Sequence, residues 1–250
     1  MKNVKAKKHL GQHFLNDLRI AFDITNLLDK NTKDVIEIGP GMGILTQFLI
    51  KNNYNTQVVE IDEECVTYLK LNFPNLNIHQ SDFLKLNLKE RYPFNFSLIG
   101  NFPYNVSSQI LFKVFENRNQ ISEVIGMFQK EVAERIVCKK GKKRGILSVL
   151  MQTFYDIEYC FTVHENVFTP PPKVKSGVIR LIRNKRKKLS VDEIKFKKIV
   201  KLVFNQRRKK IKNSIKPWKL KNDKKIEDLL TLRAEQLSVD DFIQLTHYVR

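Results

Sequence analysis

Short runs rich in β-branched and aliphatic residues alternate along this chain with stretches whose apolar positions recur every three or four residues. The strand-like runs are Val35-Ile36-Glu37-Ile38, Gln57-Val58-Val59-Glu60-Ile61, Leu76-Asn77-Ile78-His79, Phe96-Ser97-Leu98-Ile99 and Val124-Ile125-Gly126-Met127-Phe128. Helical spacing falls between them, as from Ile44 to Lys51 and from Ser107 to Phe115. This alternation predicts a doubly wound α/β domain with a parallel sheet. Two later runs, Ile157 to Val163 and Gly177 to Ile182, are separated by Phe168-Thr169-Pro170-Pro171-Pro172-Lys173. Three consecutive prolines remove donors and hold the backbone extended. The sheet is therefore expected to end in an antiparallel, hairpin-like pair. Beyond Arg183, Asn184-Lys185-Arg186-Lys187-Lys188 forms a charged linker, and Ser190-Val191-Asp192-Glu193 has the capping side chains and early acids of a helix start. The expected division is an α/β domain over residues 1–184 and a small helical module over 185–250.

A chain of 250 residues accommodates one large core and an accessory module. Its 42% hydrophobic and 28% charged residues fit a soluble globular protein. No apolar run reaches membrane-spanning length, and the basic start from Met1 to Lys8 lacks the apolar segment of a secretory signal. A cytoplasmic location, no membrane partner and a monomer are expected. Cys65, Cys138 and Cys160 are widely spaced, which leaves neither a disulfide framework nor a Cys-x-x-Cys site. His9 and His13 are four apart with no third ligand in view, so no metal is expected.

Charge changes the picture of the second module. The chain carries a net +19, of which residues 181–250 contribute 21 Lys+Arg against 8 Asp+Glu, a net of +13. Such an excess points to a polyanionic partner. Five cations in six residues, Lys139, Lys140, Lys142, Lys143 and Arg144, fall in a loop expected to join two helices. With the N-terminal lysines, Arg207-Arg208-Lys209-Lys210 and the stretch from Lys216 to Lys225, they are expected to grip RNA phosphates.

Candidate chemistry clusters at strand ends. Glu37-Ile38-Gly39-Pro40-Gly41-Met42-Gly43 leaves the first strand and leads into a helix, where glycines let the backbone approach a ligand. Such a turn suits dinucleotides, nucleotides or S-adenosylmethionine. Its Gly-x-Gly-x-Gly spacing, with Pro at the first variable position, departs from the pyrophosphate-wrapping Gly-x-Gly-x-x-Gly. Glu60 and Asp62 end the second strand, where a carboxylate can accept from a ribose diol. Asp82 follows the third, placed for an adenine amino group.

Asn101-Phe102-Pro103-Tyr104 emerges from the fourth strand. An amide, a rigid proline turn and an aromatic ring leaving a strand together can grip a planar, nitrogen-bearing group such as adenine, whose N6 lone pair is delocalised into its ring and is a poor nucleophile. The Asn101 side-chain oxygen and the Pro103 carbonyl can each accept one N6–H, which aims the lone pair at a methyl donor. Tyr104 offers a stacking surface for a flipped base.

Lys8 to Leu15, Glu37 to Gly43, Val59 to Asp62, Ser81-Asp82, Asn101 to Asn105 and Val167 to Val174, taken in order, resemble the small-subunit rRNA adenine N6-dimethyltransferases. The resemblance runs from about residue 5 to the C-terminus. It implies a Rossmann-like, S-adenosylmethionine-dependent methyltransferase with a mostly parallel seven-stranded sheet and a small all-α C-terminal domain. It further implies transfer of four methyl groups to two adjacent adenosines in the 3′-terminal hairpin of 16S rRNA in the 30S particle. By the same resemblance the cofactor touches His13, Leu15, Gly39, Glu60, Asp82 and Asn101, with Gly41 in the same loop, and Phe168 faces the target base opposite Tyr104. The sequence departs from the family pattern at His13, usually Asn, and at Phe102, usually Leu. A larger ring at 102 is expected to reshape the pocket.

Overall fold

Val35, Ile36, Glu37 and Ile38 are all buried, as in a strand covered on both faces, and they belong to an interior strand of the main sheet. The computed structural model describes residues 4–218 and 226–249. The chain divides into two compact units: Met1–Ala133 with Ile157–Arg183, and Glu134–Asp156 with Asn184–Arg250.

In the first unit the strands are β1 Phe14–Leu15, β2 Asp34–Ile38, β3 Asn55–Glu60, β4 Asn77–Gln80, β5 Phe96–Asn101, β6 Ile121–Gln129, β7 Tyr155–Val163 from Ile157 on, β8 Phe168–Thr169 and β9 Ser176–Arg183. Seven of them form one sheet in the order β4-β3-β2-β5-β6-β9-β7, and β1 pairs with β8 in a separate two-stranded sheet. Pairings from β4 through β6 are parallel, while β9 runs antiparallel to β6. This is the mostly parallel seven-stranded α/β sheet that the sequence predicts. The order steps outward from β2 through β3 to β4, then returns to place β5 on the other side of β2. That reversal is a topological switch point, and ligand sites in open α/β sheets lie outside the C-terminal strand ends there.

Helices α1 Leu18–Thr25, α2 Thr46–Lys51, α3 Glu63–Asn72, α4 Leu88–Arg91 and α5 Ser107–Glu116 connect these strands. Asp17 caps α1 by accepting from the Arg19 and Ile20 N–H groups, and Asp62 caps α3. A core of Val35, Leu49, Ile99, Ile125, Met127, Val163 and Val178 binds helices to sheet, and Leu15 and Phe168 join it.

The second unit holds α7 Ile146–Phe154, α8 Glu193–Asn205, α9 Ile211–Ser214, α10 Glu227–Thr231 and α11 Val239–Tyr248, while α6 Lys130–Val137 straddles the division. Asp192 caps α8, as the Ser190-to-Glu193 signal predicts, and Phe204 stacks on Phe242 with centroids 5.9 Å apart. The contacts assign Glu134–Asp156 to this unit, whereas the sequence pattern keeps those residues within 1–184. Leu150, Met151 and Phe154 of α7 are fully buried, so that apolar face adds to the unit's core.

Candidate functional site

The ends of β2, β3 and β5, the turn after β4 and the N-terminal segment surround a cleft of about 320 Å³. His13, Leu15, Gly39, Gly41, Glu60, Asp82, Asn101, Pro103 and Tyr104 all line it. The glycine turn owes its path to left-handed backbone: φ is +63° at Gly39 and +56° at Gly41. A Cβ on Gly41 would stand 2.9 Å from the Phe14 ring, so a side chain there is excluded on both counts.

Glu60 is 4% exposed, yet both carboxylate oxygens accept backbone hydrogen bonds. Oε1 accepts from Ile61 at 2.8 Å and Asp62 at 2.9 Å, and Oε2 from Gly41 at 3.1 Å. Burial raises its pKa while those N–H groups oppose the rise. The outcome is a carboxylate fixed in orientation, with lone pairs left over. Beneath it Glu37 accepts from Thr46 Oγ1 at 2.6 Å, and burial pushes its carboxyl up to about 8. Asp82 combines two roles that sequence treats as alternatives: it caps the turn Phe83–Lys85 through Leu84 N–H at 2.9 Å, and it lines the cleft. Asp62 does not line the cleft and turns instead to the N-terminal segment, so of the two acids at and just after the end of β3 only Glu60 lines it.

Asn101 is the last residue of β5. Its Nδ2 donates to the His13 carbonyl at 2.8 Å, and that bond assigns the amide, leaving Oδ1 as its unused acceptor. The Pro103 carbonyl accepts from Val106 N–H at 3.1 Å and retains a second lone pair. Tyr104 is anchored at its far end, with its hydroxyl 2.5 Å from Ser176 Oγ on β9, and its ring lies 5.5 Å from that of His13 at a 31° tilt. Burial raises the Tyr104 pKa, so the hydroxyl stays neutral. His13 Nδ1–H donates to the Pro170 carbonyl at 2.7 Å. Ring and backbone of His13 thus serve different partners within the protein: the ring holds the proline segment and the carbonyl holds Asn101.

Two of the expected site residues are buried and stand apart from the others. Phe168 is 3% exposed and is not among the cleft residues; its pairing with Leu15 across β1 and β8 turns it into the core. Arg144 is 2% exposed, with Nε and Nη2 buried and lacking hydrogen-bond partners among the described residues, whereas Lys139, Lys140, Lys142 and Lys143 are exposed. Arg207 is exposed but committed, bonding Glu235 and the Lys142 carbonyl, whereas Arg208 is simply exposed. Lys219, Lys221, Lys224, Lys225 and Lys2 lie outside the described residues.

Phe102 lines the cleft, but its ring is fully buried. Gly100 and Gly126, paired across β5 and β6, leave the space its ring fills, and it meets Phe128 edge-on at 5.2 Å. Sequence reading misses Ser176 and Lys7, whose partners are 72 and 55 positions away. Gln12 falls within the Lys8-to-Leu15 motif, but sequence alone assigns it no role.

A family model described as ribosomal RNA adenine dimethylase matches residues 3–250. The chain belongs to this family. A family relative from Cytophaga hutchinsonii, named ribosomal RNA small subunit methyltransferase A, is 58% identical over 253 residues, covering 99% of this chain and 98% of its own. Among solved structures, a dimethyladenosine transferase from Plasmodium falciparum superposes with a TM-score of 0.79 at 22% identity, over 95% of this chain and 99% of that one. The 23S rRNA methyltransferase ErmE gives 0.74 at 22% identity, over 94% and 98%. These two likenesses establish the Rossmann-like methyltransferase fold. A 23S rRNA enzyme shares it with this chain, so fold alone does not choose the RNA target. Among the described residues no helix is long and apolar enough to cross a membrane.

Proposed function

We propose that this methyltransferase uses S-adenosylmethionine to dimethylate N6 of two adjacent adenosines in the 3′-terminal hairpin of 16S rRNA, acting in the cytoplasm on the 30S particle or its precursor and contributing to small-subunit biogenesis. The observation that carries the reading is the oriented Asn101 amide beside the buried, backbone-held Glu60 in one cleft. Four relatives between 53% and 58% identical bear the small-subunit name, which favours that target over 23S rRNA.

The donor set fits the cofactor's chemistry. Glu60 has free lone pairs for a ribose diol, Asp82 can accept from an adenine amino group, and the Gly39–Gly41 backbone is bare toward the cleft. His13 and Leu15 close the cleft from the N-terminal side. When bound, S-adenosylmethionine supplies an electrophilic methyl group on a sulfonium. Asn101 Oδ1 and the Pro103 carbonyl accept the two N6–H bonds of the target adenine and direct its lone pair. Tyr104 stacks on the base, an interaction worth roughly 1–3 kcal/mol, and orientation of this kind can contribute roughly 7–11 kcal/mol. Neither a metal nor a strong general base is needed, because the amino proton becomes acidic once the nitrogen is alkylated.

Mass spectrometry of the 16S 3′ hairpin from cells lacking this gene tests the reading. Two adjacent adenosines without methyl groups are expected; fully dimethylated ones would refute it. Methyl transfer to unmethylated 30S particles, compared with naked 23S RNA, separates the two RNA targets.

A further inference from the structure

Asp62 is 2% exposed and stands at the N-terminus of α3, where it accepts from Glu64 N–H at 3.0 Å. Its remaining partners come from the N-terminal segment: Lys7 Nζ at 2.5 Å on Oδ1 and Gln12 Nε2 at 2.8 Å on Oδ2. Lys7 also pairs with Glu64 at 3.1 Å, and Gln12 Oε1 accepts from Lys7 N–H at 2.7 Å. A buried carboxylate met by an ammonium and an amide makes short, charge-assisted bonds that fix both partners. Lys7 and Gln12 are thereby tied to the start of α3.

His13 follows Gln12 directly, so only the backbone torsions of these two residues separate the anchored Gln12 from the His13 carbonyl. On its other side β1 is held by pairing of Phe14 with Thr169 and Leu15 with Phe168. The His13 carbonyl is thus suspended between two anchors, and it is the group that receives Asn101 Nδ2. An asparagine amide presents oxygen or nitrogen according to which partner it meets. If the carbonyl drifts, Asn101 loses the acceptor that keeps its oxygen toward the cleft, and a shift of about 1 Å at such a group can cost about a hundredfold in rate.

The geometry points to Lys7, Gln12 and Asp62 as positioning residues that set the Asn101 amide through the His13 carbonyl. They touch no reacting atom in this role. It rests on the reading of Asn101 as the group that orients the acceptor amine.

The full-length chain is assayed for methyl transfer to unmethylated 30S particles, with binding of S-adenosylhomocysteine measured separately by calorimetry. Gln12→Ala and Lys7→Met are each expected to lower kcat about tenfold while the Kd for S-adenosylhomocysteine stays within about threefold. Lys7→Arg restores at least about half of the wild-type kcat, since it keeps the charge beside Asp62. The Lys7→Met, Gln12→Ala double variant loses little beyond the worse single one, because both act on the same carbonyl. Wild-type kcat in folded Gln12→Ala and Lys7→Met, or a raised Kd with unchanged kcat, overturns the inference. So does full additivity of the two losses. If Gln12→Ala does not fold, the contrast of Lys7→Met with Lys7→Arg decides the question. Asn101→Ala run alongside tells the two failures apart: turnover retained there defeats the reading of Asn101 itself, whereas loss there with active Lys7 and Gln12 variants defeats only their positioning role.

Discussion

The Asn101 Nδ2 donates to the His13 carbonyl across 88 positions of sequence, at 2.8 Å. That single bond decides which end of the amide the cleft receives. Asn101→Ala is expected to lower methyl transfer at least tenfold, roughly 1.4 kcal/mol in barrier, with circular dichroism unchanged. Asn101→Asp removes the donor and sets a carboxylate against the His13 carbonyl, so its loss should be at least as large. Single-turnover rates with bound donor measure both.

Glu60 collects three backbone N–H groups, those of Gly41 and Asp62 in buried bonds, and Glu60→Ala would remove their partner. Hydrogen bonds to a charged group contribute roughly 1.5–3 kcal/mol each. Donor affinity should therefore fall at least about tenfold, and melting temperature should fall with it. Calorimetry and a thermal melt read the two effects independently.

The Glu37 carboxyl, buried and raised to about 8 from 4.5, makes stability depend on pH. Below about 4.5 the group is protonated folded and unfolded alike; between 4.5 and 8 only the folded state holds the proton. Its contribution is thus present at low pH and lost as pH rises through 8. Glu37→Gln should flatten the decline of stability over that window. Urea unfolding at about pH 5, 6.5 and 8 supplies the comparison.

Lys139, Lys140 and Lys142 are exposed, whereas Arg144 in the same loop is buried. Replacing the three lysines by Gln should reduce the salt slope of RNA binding by roughly 0.7–0.9 for each phosphate that is no longer neutralised. Arg144→Met should leave that slope unchanged. Filter binding across a salt series distinguishes the two variants.

A Cβ at Gly126 would stand 2.5 Å from both the Phe102 and Phe128 rings. Gly126→Ala overpacks this site, which typically costs about 1–3 kcal/mol. Phe102→Leu in the same background should recover part of the loss, as measured by equilibrium unfolding.

Sheet, glycine turn and the strand-end acids were legible because each signal is local: alternating apolar runs set β2 to β6, and Glu60, Asp82 and Asn101 sit directly at strand ends. Partnership across the chain was not. Lys7 looks like any basic residue of a charged N-terminus until Asp62 is brought beside it, and Ser176 gives no sign that it receives Tyr104. Burial is equally nonlocal. Arg144 reads as one more cation in a run of five, yet the fold buries it, and nothing local to Phe168 announces the core position it takes beside Leu15. The assignment of Glu134–Asp156 escaped the sequence for the same reason, since contacts rather than composition decide which core a helix serves.

His13 reaches Asn101 and Pro170, and Tyr104 reaches Ser176, so the acceptor side draws on residues 13, 101, 104, 170 and 176 at once. During synthesis the N-terminal segment must therefore wait until Pro170 leaves the ribosome before its carbonyl and ring have both partners, and Tyr104 must wait for Ser176 on β9. A nascent chain ending near residue 150 could carry the glycine turn and Glu60 already in place, yet it would lack the proline segment that holds His13. Methyl-transfer competence should accordingly arise late and all at once, when the final strand of the sheet docks beside β6.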